Sequence, residues 1–101
     1  MVTKTKKELA ELWLRDVPQD KVFWFHDGRM AKNLDELATT LREMTEETFH
    51  YYANGDKNDF SNWVRDVVGD VTLANQLQKA TTQATAARKM ETRLNWLRAR
   101  L

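Results

Sequence analysis

Only four residues of this chain break a helix through backbone geometry, Pro18 and the glycines at 28, 55 and 69. So few breaking points among 101 residues argue for regular helical stretches rather than many short strands joined by turns. An apolar fraction of 42% with ten aromatic rings, four of them Trp, suffices for one buried core. The expected architecture is therefore all-α: residues 1–101 form a single domain of five to six short helices. One extended aromatic segment or short hairpin is expected near residues 22–32.

Apolar spacing places the helices. Leu9, Leu12 and Trp13 share one face of a first helix from about Thr5 to Arg15, which must end before Pro18. Asn33 with Glu36 three residues on is a capping-box-like start for a second helix, with Leu34, Leu37, Ala38, Leu41 and Met44 as its stripe. Thr45-Glu46-Glu47 restarts a cap ahead of Phe49 and Tyr52, and Asn54-Gly55 reads as the stop. Asn58 or Asp59 then caps a helix carrying Phe60, Trp63, Val64, Val67 and Val68. Gly69 closes it, and Asp70 caps another with Val71, Leu73, Ala74 and Leu77. A basic amphipathic helix over 82–101 has Ala87, Met90, Leu94, Leu97 and Leu101 at heptad spacing.

One segment does not read as helix packing. Val22-Phe23-Trp24-Phe25 runs into Asp27-Gly28-Arg29, three rings in a row before the strongest turn signal in the chain. With no polar residue between the rings, at least one is expected at the core edge or on the surface. Met30-Ala31-Lys32 can return as a partner strand, and an extended loop without a ladder fits equally well.

Charge is unevenly spread. Residues 1–15 carry four Lys/Arg against two Glu, and residues 82–101 carry five against one, while 16–81 carry seven against twelve Asp/Glu. The chain is an acidic body with basic ends, which either dock on that body or solvate their own helices, or meet phosphate. No apolar stretch follows the basic start Met1–Lys7, and no apolar run is long enough to span a bilayer. With no Cys in the chain, the expectation is a protein without membrane contact, in the cytoplasm.

Four stretches, Phe23-Trp24-Phe25-His26-Asp27-Gly28-Arg29, Asn33–Leu37, Met44–Phe49 and Asn58–Asp70, cover roughly residues 22–77. Together they resemble a small, functionally uncharacterised prokaryotic domain family found mainly in archaea. The resemblance implies a domain of unknown function and brings no catalytic residues with it.

Motifs for chemistry are sparse. His26 and Asp27 beside Arg29 offer an acid/base group, but a turn aspartate bonded to its own backbone accounts for Asp27 as well. The only other imidazole is His50, and neither histidine has a partner at metal-ligand spacing. Asp56-Lys57-Asn58-Asp59 departs from a calcium loop, the glycines stand apart rather than in a phosphate loop, and Ser61 lacks a nucleophile elbow. No enzyme and no cofactor is expected. Phe60–Leu77 has the corner of a helix-turn-helix, yet Asp66 and Asp70 flank what would face phosphate.

The expected role is a non-catalytic helical interaction module, for self-association (a homodimer) or for docking a protein partner. Its candidate surface is Phe23, Trp24, Phe25, His26, Asp27 and Arg29, with the terminal heptad helix as a second. The alternative is an accessory nucleic-acid-binding protein that touches phosphates through Arg88, Lys89, Arg93, Arg98 and Arg100.

Overall fold

The computed structural model describes residues 3–101, and these form a helical domain with one two-stranded hairpin. Helix α1 spans Lys6–Leu14, a three-residue 3-10 turn covers Gln19–Lys21, and strands β1 (Phe23–Trp24) and β2 (Met30–Ala31) pair antiparallel. Helices α2 (Leu34–Glu43), α3 (Glu46–Tyr52), α4 (Asp59–Trp63), α5 (Val71–Lys79) and α6 (Gln83–Arg98) follow. α6 lies against α1, α2, α3 and α5, so the terminal helix is the spine on which the rest assembles.

Local chemistry explains the boundaries. Thr5 and Glu8 form a reciprocal capping box on α1: the Thr5 hydroxyl accepts from the Glu8 N–H at 3.1 Å and Glu8 Oε1 from the Thr5 N–H at 3.1 Å. The Thr5 N–H bonded to its carboxylate holds the Glu8 carboxyl below the usual range. On α2 the expected pair is only half reciprocal. Asn33 Oδ1 accepts from the Glu36 N–H, but Glu36 Oε1 takes the N–H of Lys32 rather than that of Asn33. Thr45, Asn58, Asp70 and Thr82 cap α3, α4, α5 and α6 through their side chains.

Two expectations need correction. Gly55 is not a left-handed helix stop, since positive φ occurs only at Gly28 and Gly69 among the described residues. The stop after α3 is made by Asn54 Oδ1, which accepts from the N–H groups of Asp56 and Lys57. The helix from Asn58 to Val68 is also not uniform. After Trp63 it widens into a π-helix over Val64–Val68, closed by the Gly69 N–H donating to the Val64 carbonyl at 2.7 Å. Gly69, at φ 96°, supplies the left-handed residue that lets α5 start at once.

The core follows the apolar stripes. Leu34, Leu37, Leu41, Phe60, Val64, Leu73, Leu77, Met90, Leu94 and Leu97 are buried. On α6 the stripe is shifted from the heptad expectation: Ala86 is buried where Ala87 was expected, and Leu101 is 60% exposed. A helix wrapped onto a body follows a 3.6-residue period, and the strict heptad drifts off it at both ends.

Candidate interaction surface

Segment 22–31 is built from the inside outwards. Phe23 and Phe25 are 7% and 5% exposed, while Trp24 between them is 60% exposed. The three rings thus alternate in, out, in, as a strand requires. Phe23 stacks on Phe60 at 5.3 Å between ring centres and meets the Trp63 ring edge-on at 6.0 Å. Phe25 packs against Tyr52 at 5.7 Å, and Trp63 Nε1 donates to the Lys21 carbonyl at 2.8 Å. These contacts fasten the hairpin to α3 and α4, which a pair of two-residue strands needs.

The outer face is apolar and aromatic. Register places Trp24 opposite Met30, which is 40% exposed. A thioether beside an indole is a favourable cross-strand pair. Farther along, the His26 ring lies 4.9 Å from the Tyr51 ring, which is 58% exposed, and Lys57 Nζ sits 5.4 Å from the Tyr51 ring centre. Trp24, Met30 and Tyr51 are three of the five large exposed hydrophobic side chains among the described residues, the first two within this segment and Tyr51 beside it.

The turn residues are bound to structural tasks. The Tyr52 hydroxyl accepts the His26 N–H at 2.8 Å and lies 2.6 Å from His26 Nδ1. With one donor already on the oxygen, the phenol's own hydrogen is best directed at Nδ1, which assigns the proton of a neutral ring to Nε2. Asp27 accepts from the Arg29 N–H at 3.0 Å and from Arg29 Nε at 2.9 Å. The Arg29 backbone hydrogen bond is the chief cause that holds the Asp27 carboxyl below its usual range. Arg29 also reaches Glu43 at 3.9 Å.

The four cations of α6 and Arg100 just beyond it do not form one face. Arg93 is turned inward, a correction to its expected phosphate role. Its Nε and Nη2 donate to the two oxygens of Asp70 at 2.8 and 2.9 Å, with Asp70 wholly buried. Its guanidinium lies 4.3 Å from the Trp96 ring and 5.6 Å from that of Trp13. Arg100 stacks on Trp96 at 3.5 Å and donates to the Trp96 carbonyl, and Arg98 pairs with Asp35 on α2. Arg88 and Lys89 hold no acidic partner among the described residues, Arg88 exposed and Lys89 half-buried.

Asp70 also caps α5 by accepting from the Leu73 N–H at 3.1 Å. Its cap was readable in the sequence; the bidentate pair with Arg93 was not, because no periodicity links positions 23 residues apart. Nor was the junction at the start of α6 foreseen. There the Glu46 carboxylate accepts the Gln83 N–H at 3.0 Å, and the Gln83 side chain donates to the Leu41 carbonyl at 2.8 Å.

No family model, curated protein or solved structure matches this chain. Among the described residues, no helix is long and apolar enough to cross a membrane.

Proposed function

We propose that this chain is a non-catalytic interaction module that docks a protein, in the first instance a second copy of itself, through the Trp24–Met30 face. The observation that carries the reading is the outward Trp24 on a segment whose neighbouring rings are buried. An indole held in water by a fastened hairpin gains most when a partner covers it, and Trp is enriched where binding energy concentrates. Charge around the face supports a like partner. Asp27, Glu36 and Glu43 lie near Arg29 and Lys32, so a two-fold contact can set opposite signs against each other. The basic-helix alternative has less support, because Arg93, Arg98 and Arg100 are engaged within the fold.

Light scattering across a concentration series tests the second-copy reading. The wild type is expected to exceed the 11.9 kDa monomer mass as concentration rises, and the paired substitution Trp24→Ser with Met30→Ser to remove that rise. A wild type that stays monomeric throughout excludes the second copy as occupant.

A further inference from the structure

On α3, one residue before Tyr51, His50 borders a cleft that the docking face does not use. It lies between the ends of α3 and α5 and has a volume of ≈ 280 Å³. The floor is apolar, made by Ala53 and Ala80, which are 4% and 3% exposed.

The His50 ring is one wall, with an acceptor oxygen beside each of its nitrogens. Nε2 lies 2.9 Å from Glu46 Oε1 and Nδ1 lies 3.2 Å from the Ala53 carbonyl. With both nitrogens turned towards these oxygens, the ring presents its face to the cleft. Opposite, Gln78 and Thr81 are exposed at the rim, and neither side chain has a hydrogen-bond partner among the described residues. Gly55 leaves the mouth open: a Cβ there would meet nothing within 4 Å. Among the described residues, no carboxylate, ammonium or guanidinium group lines the cleft.

We propose that this cleft binds a small uncharged ring carrying an amide edge, of the lactam or nucleobase type. A primary amide presents a donor beside an acceptor, so the complement of Gln78 is an N–H next to a C=O on a planar ring. The Thr81 hydroxyl supplies a third hydrogen bond, and Ala53, Ala80 and the His50 face cover the ring. The volume lies at the low end of small-molecule sites and suits a single ring. A nucleotide is disfavoured, since no Lys or Arg lines the cleft to meet its phosphate.

An amide-resolved NMR titration of the full chain with uracil tests this, with 1,3-dimethyluracil as the ring whose N–H donors are blocked. Uracil is expected to shift the Gly55, Gln78 and Thr81 amides saturably, with a Kd on the order of 1 mM for so few atoms. The dimethylated ring and the Gln78→Leu variant should each weaken binding about tenfold, the loss of one well-placed hydrogen-bonding edge. Thr81→Trp, a change at an exposed rim position, should abolish it. Absence of saturable shifts overturns the proposal. So does equal binding of the two rings, or binding that Gln78→Leu leaves untouched.

Discussion

Among the described residues, Arg93 is the only cation paired with a carboxylate that is wholly out of water, and replacing it by Met removes that pairing. Asp70 is 0% exposed, and both of its oxygens accept from the Arg93 guanidinium. In the variant it keeps only the Leu73 N–H. A buried pair broken on one side costs about 3–5 kcal/mol, because a desolvated charge is stranded rather than because the pair itself is strong. For a domain whose total stability is of order 5–15 kcal/mol, that is a large fraction. Replacing both residues separates these two effects. Asp70→Ser with Arg93→Met retains an oxygen for the α5 cap and strands no charge, so it should recover most of the loss. Urea unfolding followed by circular dichroism reads all four corners of the cycle. A single variant costing under about 1 kcal/mol would refute the reasoning, as would a double variant as unstable as the sum of the singles.

Trp63→Ala removes the ring that meets Phe23 and donates to the Lys21 carbonyl, and thermal melting should register a loss of about 3–5 kcal/mol. A Cβ at Gly28 would meet no atom within 4 Å, so the cost of Gly28→Val is chiefly conformational, about 1–3 kcal/mol from a β-branched residue at φ 92°; a cost near zero in urea would dismiss the turn. The Asp27 carboxyl titrates below its ordinary value in the folded chain, so its contribution is present above the usual aspartate range and is lost as pH falls through that lowered value. An NMR pH titration should show the Arg29 amide resonance moving with Asp27, whereas independent titration would detach the two. Removing residues 82–101 strips the core of Ala86, Met90, Leu94 and Leu97, and the remainder should lose its cooperative melt; an equally stable remainder would make α6 dispensable.

Much of the fold could be read because local rules agreed with the tertiary answer. Asn33, Thr45 and Asp70 cap where side-chain chemistry requires, and Gly28 and Gly69 take the positive φ that their turns need. The π-helix at Val64–Val68 left no mark in the apolar spacing, since its extra residue per turn is set by closure onto Gly69. The aromatic segment was legible as unusual, and its division into inward Phe23 and Phe25 and outward Trp24 needed the strand register. The basic helix misled more, because a count of cations does not show which carboxylate each one meets. Arg93 reaches Asp70 and Arg98 reaches Asp35 only once α5 and α2 lie against α6.

Site-specific photocrosslinking tests the central claim, that the Trp24 face is where this chain meets another protein. A benzophenone side chain replaces Trp24 in one sample and Thr72, an exposed position on α5, in the other. Irradiation in the native cell should give discrete protein adducts from position 24 and none from position 72, with the adduct mass telling a second copy from a different chain. Position 24 giving no adduct beyond those of position 72 would contradict the assignment of this surface.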